Sequence, residues 1–206
     1  KTTWENGELI EMRNKHKKIY GQKQEWGPGA ITETVRSLVP RDTVITMDSG
    51  AHRILISQAW RTYVPRSALQ SSAFCTMGCA LPLATGAKLA DPGRVVVAFM
   101  GDGGLEMVLG ELITLRDLGL PVIVMVFVDA SLALIEKKQR EMQYKNVGVD
   151  MDETDFKSIA LAMGGIGFVV QTRRQLEDAV NTALSTSDTF TLISCRIPRG
   201  SYDEII

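Results

Sequence analysis

The sequence predicts an α/β domain: a doubly wound, mostly parallel sheet with helices on both faces. Two observations carry this. Apolar runs at 43–47, 94–100, 121–128, 167–171 and 190–197 are continuous rather than alternating, and rich in Val and Ile. That is the pattern of strands buried on both faces of a parallel sheet. Helical patterns at 28–38, 78–89, 105–118, 153–163 and 174–184 lie between them, and such alternation is how doubly wound sheets are built.

The helix expected at 105–118 is the best defined. Leu105, Val108, Leu109, Leu112 and Leu115 recur at spacings of three and four, so they share one face. Gly119 suits the left-handed residue that ends a helix, and Pro121 blocks its continuation. A strand follows at once. With the usual right-handed crossover, Asp102 and Asp129 then fall on one carboxyl edge of the sheet, where ligands of open α/β sheets bind. The segment 63–78 lacks clear periodicity and reads as a loop near that edge. Residues 1–25 read as a linker or peripheral helix from a preceding domain, and 26–206 as the domain proper. The charged opening, beginning at Lys1, reads like the cut end of something longer.

Bulk properties exclude several classes. Among 206 residues, 45% are hydrophobic and 23% charged, with a formal net charge of −1. No broad basic surface is implied, which argues against a nucleic-acid partner. No apolar run reaches membrane-span length, and the charged first 26 residues are no signal peptide. Three cysteines, Cys75, Cys79 and Cys195, fit a reducing, cytoplasmic compartment. Cys75 and Cys79 stand four apart, but without a second Cys/His pair they read as buried thiols rather than metal ligands. Met107 and Met125 read as core fillers, and 136–141 as a solvated helix face.

Three stretches look like pieces of one site: 48–52, 101–104 and 129–131. In Gly101-Asp102-Gly103-Gly104 a strand ends in a carboxylate between glycines. Magnesium takes hard oxygen ligands, and glycines permit close backbone approach. A plain glycine-rich βα turn is the competing reading. The dinucleotide fingerprint and the P-loop both fail for want of their third glycine and their Gly-Lys-Ser/Thr. Asp129 directly follows seven apolar residues. A carboxylate there needs a partner, water or a metal, though Asp129 or Ser131 capping a helix at 132–140 is the simpler alternative. His52 by residue type is either a general base or a surface or capping histidine.

The ordered set resembles the metal–diphosphate motif of thiamine diphosphate enzymes. Asp48-Ser49-Gly50-Ala51-His52 is similar to the Asp-x-Gly-x-His stretch of the acetolactate synthase-like group. The segment from Cys75 to Pro82 (Cys-Thr-Met-Gly-Cys-Ala-Leu-Pro) is similar to its Gly-x-Met-Gly-x-x-Leu-Pro segment. The resemblance covers roughly 26–200 and matches the C-terminal, diphosphate-binding domain of such enzymes, which implies the thiamine diphosphate-binding fold.

The resemblance implies the following roles. Asp102 and Asp129 ligate magnesium through side chains, and Ser131 through its backbone carbonyl. Gly50, Ala51, His52, Gly101, Gly103, Gly104 and Leu132 approach the diphosphate. Met77 props the cofactor into its bent shape, flanked by Thr76 and Gly78 beside the aminopyrimidine. The family usually carries Asn at position 129 and often Gly at position 75. Asp129 adds charge against a diphosphate, which magnesium offsets in part.

An enzyme of this kind acts on 2-keto acids by decarboxylation, carboligation or both, as a lyase or transferase, usually as a homo-oligomer (dimer or tetramer). Its activating glutamate belongs to a separate pyrimidine-binding domain. Glu106 and Glu111 lie on the wrong side of the cofactor, so no catalytic residue is assigned here and the chain alone is expected to be inactive. Two other readings stay open: a magnesium-dependent phosphohydrolase, and a non-catalytic interaction module that retains the fold.

Overall fold

The computed structural model describes residues 7–20 and 25–206; part of the expected linker, 1–6 and 21–24, lies outside them. A peripheral helix α1 (Glu8–Tyr20) precedes the sheet-forming chain. From there the order is α2 (Pro28–Leu38), β1 (Val44–Met47), α3 (Ala51–Ala59), β2 (Ala68–Gln70), α4 (Ala80–Ala90) and β3 (Val96–Gly101). Then come α5 (Asp102–Glu106), α6 (Glu111–Asp117), β4 (Val122–Val128), α7 (Ala133–Glu141), α8 (Phe156–Ala162), β5 (Ile166–Val170), α9 (Arg173–Ser185) and β6 (Thr191–Arg196).

The strands form one sheet in the order β2-β1-β3-β4-β6-β5, parallel throughout. Side-chain alternation along each buried strand feeds two cores. Val97, Phe99 and Met125 face the layer of α2, α3 and α9. Val96, Ala98 and Val124 face that of α4, α6 and α8. The central strands β3 and β4 are therefore apolar on both faces, which is why their runs read as continuous. The nitrogen of the Trp26 indole donates to the Arg196 carbonyl at 2.6 Å, fastening the start of the domain to the end of β6.

Chain order places the site. From β1 the chain crosses outward to β2, then returns past β1 to β3 on its other side. The strand order therefore reverses between β1 and β3. That reversal opens a crevice at the carboxyl ends of the strands.

Four expectations need correction. The helix expected at 105–118 is two helices, α5 and α6, separated by turns. Bonds from Val108 N to Leu105 O, Glu111 N to Val108 O and Ile113 N to Gly110 O span three residues rather than four, so the chain winds tighter there and Gly110 adds no helical preference. Leu105, Leu112 and Leu115 still reach full burial, but Met107 is turned out to 65% exposure instead of filling the core. The expected loop at 63–78 contains the edge strand β2, whose three residues are mostly exposed. The supposed solvated face begins with Glu136, which is buried and accepts from Arg140 Nε at 3.0 Å and Asn146 Nδ2 at 2.8 Å.

Candidate functional site

A cleft of about 180 Å³ opens at the ends of β1, β3 and β4. Its lining includes Gly50, Ala51, His52, Met77, Gly101, Asp102, Gly103, Gly104, Asp129, Ser131 and Leu132. These come from all of the stretches singled out in the sequence. Thr76 and Gly78 are not among the lining residues. Thr76 is exposed and bonds the Met77 carbonyl at 2.9 Å. Gly78 is buried behind the wall with φ +84°, and a Cβ there would meet Val108 Cγ1 at 2.7 Å.

Strand register puts the acids side by side. Gly101 pairs with Phe127 across β3 and β4, so Asp102 and Asp129 leave adjacent strand ends. Asp102 Oδ1 accepts from Gly103 N at 2.8 Å and its Oδ2 from Ala130 N at 2.9 Å. Ala130 takes φ 52°, a left-handed conformation that aims its N–H back at Asp102. The Ser131 main chain bonds the Asp129 carboxylate, yet Asp129 Oδ2 and Ser131 Oγ have no partner. Neither residue caps α7, whose first cap position is Leu132 without a side-chain bond. The helix-cap alternative is thereby removed.

Burial raises the pKa of Asp102. Burial, followed by repulsion from Asp102, pushes Asp129 up to about 7. Two carboxylates facing one cleft repel unless a cation or a proton sits between them. Among the described residues, no group of three His, Cys, Asp or Glu side chains is placed to hold a metal. Only a site completed by carbonyl, phosphate or water oxygens is compatible with that set. The strap carrying Ser131 is fixed by Leu132 N to Val149 O at 2.9 Å and Met151 N to Ala130 O at 3.1 Å. Neither bond uses the Ser131 carbonyl.

Glycines beside the acids leave little space for side chains. A Cβ on Gly103 would meet Leu132 Cδ2 at 3.2 Å, Met77 Cε at 3.3 Å and Met151 Cε at 3.4 Å. Gly50, at φ +149°, leaves room for the His52 ring, which a Cβ would strike at 2.8 Å. His52 is 4% exposed, with Nε2 unpartnered. Burial, with a smaller push from Arg53, holds its pKa down at about 3. A neutral imidazole that stays neutral is no general base near pH 7, so only its hydrogen-bonding capacity is available there.

Residues 48–195 match the family described as thiamine pyrophosphate enzyme, C-terminal TPP binding domain. The chain belongs to this family. It is 29% identical to an acetolactate synthase of Bacillus subtilis (strain 168), over 84% of this chain and 32% of that protein. It is 30% identical to an acetolactate synthase large subunit of Buchnera aphidicola subsp. Schizaphis graminum, over 86% of this chain and 35% of that protein. With an indole-3-pyruvate decarboxylase of Azospirillum brasilense the identity is 35%, over 65% of this chain and 24% of that protein. The chain thus spans about a third of the length of the first relatives it matches.

Several lining residues of this thiamine diphosphate-binding domain escaped the sequence reading: Phe127, Ala133, Leu134, Ile135 and Tyr202, while Ser49 lay in a stretch singled out but was given no role. Ile135 is 49% exposed, the last of three apolar residues that open an otherwise charged and polar helix. Tyr202 carries no local signal. The C-terminal turn delivers it, held by Arg140 Nη2 to Asp203 Oδ1 at 2.7 Å and by the Arg199–Asp150 ion pair. No helix among the described residues is long and apolar enough to cross a membrane.

Proposed function

We propose that this chain supplies the diphosphate- and magnesium-binding half of an active site that acts on 2-keto acids, by decarboxylation, carboligation or both. The observation that carries the reading is the pairing of Asp102 with Asp129, whose Oδ2 is unpartnered, beside Gly103, where a Cβ would press on the Leu132, Met77 and Met151 side chains. A doubly charged cation would allow both carboxylates to ionise and would lie against hard oxygen donors, as magnesium requires. Asp102, Asp129 and the Ser131 carbonyl would hold it. Gly50, Ala51, His52, Gly101, Gly103, Gly104 and Leu132 would receive the diphosphate. Met77 would support the ring system, with Thr76 and Gly78 fixing its segment. When bound, the cofactor supplies an electron sink for the carbonyl carbon of the substrate.

What this chain contributes is binding, orientation and exclusion of water. The relatives support the substrate class, being acetolactate synthases and an indole-3-pyruvate decarboxylase. The rest of the site, including the activating glutamate, would come from a pyrimidine-binding domain in a cytoplasmic homo-oligomer, and the chain by itself would turn over no substrate. Calorimetric titration tests the site: thiamine diphosphate should bind with magnesium and much more weakly without it. Affinity that ignores magnesium, or survives Asp102→Ala combined with Asp129→Ala, overturns the assignment. Rapid 2-keto acid decarboxylation by the pure chain would overturn the half-site reading.

A further inference from the structure

One buried carboxylate touches two walls of the cleft without lining it. Asp48 is 0% exposed and stands where β1 runs out. Its N–H donates to the Phe99 carbonyl at 3.0 Å, so the β1–β3 ladder continues through it and its main chain is fixed. Oδ1 accepts from Cys79 N at 3.0 Å, and the Gly78 and Ser49 main chains also bond the carboxylate. Oδ2 has no hydrogen-bond partner. It presses on the glycine turn instead: a Cβ at Gly104 would lie 2.0 Å from Oδ2, and 3.7 Å from Gly78 N.

We propose that Asp48 is a positioning residue that sets the spacing between the Met77 segment and the Gly103–Gly104 turn. The inference rests on reading the cleft as the thiamine diphosphate site, and names what holds its two walls in register. A carboxylate suits the task because it is short, only accepts, and makes stronger bonds to N–H groups than a neutral acceptor. Without it the Gly78 and Cys79 N–H groups lose their acceptor away from bulk water, and the segment must shift to satisfy them. Met77 would shift with it, since Gly78 follows directly. Gly104 is the complement, because no side chain fits against Oδ2.

A nearby bond provides the control. Thr46 Oγ1 donates to the Ala80 carbonyl at 2.7 Å, tying the same strand to the start of α4 without touching either wall. In amide hydrogen exchange on the ligand-free chain, Asp48→Ala should speed exchange about tenfold at Cys79 and also at Gly103 and Gly104, whereas Thr46→Val leaves Gly103 and Gly104 unchanged. Asp48→Asn, which keeps an acceptor, should restore much of the protection. Gly104→Ala approaches from the other wall and should speed exchange at Cys79, which keeps the test independent of whether Asp48→Ala folds. In titrations with magnesium and thiamine diphosphate, Asp48→Ala should bind about tenfold more weakly and Thr46→Val nearly as wild type. Wild-type exchange at Gly103 and Gly104 in Asp48→Ala, or at Cys79 in Gly104→Ala, overturns the proposal. So does an Asp48→Ala affinity no lower than that of Thr46→Val. A wild-type chain that binds no thiamine diphosphate would sink the proposed function, while the exchange pattern would still decide the coupling.

Discussion

The His52 imidazole stacks on the Phe127 ring, with centroids 5.7 Å apart and planes 20° from parallel. Phe127 in turn stacks on Phe99 at 6.2 Å. The histidine is thus the last ring of an aromatic row that begins in the core, and this explains why it is buried and neutral.

A pH dependence follows. The folded pKa of His52 is about 3, below an unfolded value of about 6.5. The neutral ring therefore contributes stability above the unfolded value, and that stability is lost as pH falls from about 6.5 towards 3. The slope approaches about 1.4 kcal/mol per pH unit within the window. Proton NMR of the ring should show no titration of His52 between pH 8 and 5, and a midpoint near 6.5 would contradict the burial argument.

Asp129 works in the opposite direction. Its folded pKa of about 7 lies above the unfolded carboxylate value of about 3.9. In the metal-free chain its contribution is present at low pH and is lost as pH rises through 7. Asp129→Asn removes this loss, and should stabilise the metal-free chain at pH 8 by about 1–3 kcal/mol, while changing little at pH 4. Urea unfolding of both chains in chelator reads the difference directly. Taking the variant against wild type also cancels the overlapping, opposite contribution of His52.

Cys75 stands in a left-handed conformation, with φ 49°, which costs a residue bearing Cβ roughly 1–2 kcal/mol relative to glycine. Its Sγ contact with Arg53 Nη1 at 3.3 Å offsets little of that, because the pair is partly solvated. Cys75→Gly should raise stability by about 0.5–1 kcal/mol, after the greater chain entropy of glycine is counted. A lowered midpoint in thermal unfolding would show the Arg53 contact to be the larger effect.

Much of the sheet was legible because burial on both faces leaves an unbroken apolar run. Val122–Val128 is fully buried along all seven residues and ends in Asp129. A run of that kind has few alternatives to a central strand. The helix at Ala51–Ala59 was legible too but overlooked. Ala51, His52, Leu55 and Ile56 are its buried residues, at helical spacing, within a stretch read only as a motif. β2 was not legible, since three mostly exposed residues carry no pattern.

The sequence by itself determined the buried strands, the residues that close them, and the glycine turn beside Asp102, because strand burial and glycine permissiveness are local properties. Only the tertiary structure decided that β1 lies beside β3, that Gly101 registers with Phe127, and that Tyr202 returns from the far end of the chain to the cleft. It also decided that Asp48 and Gly104, far apart in sequence, share a volume that admits one side chain and no Cβ. Order and register are set by packing between distant segments. Periodicity within any one of them does not contain that information.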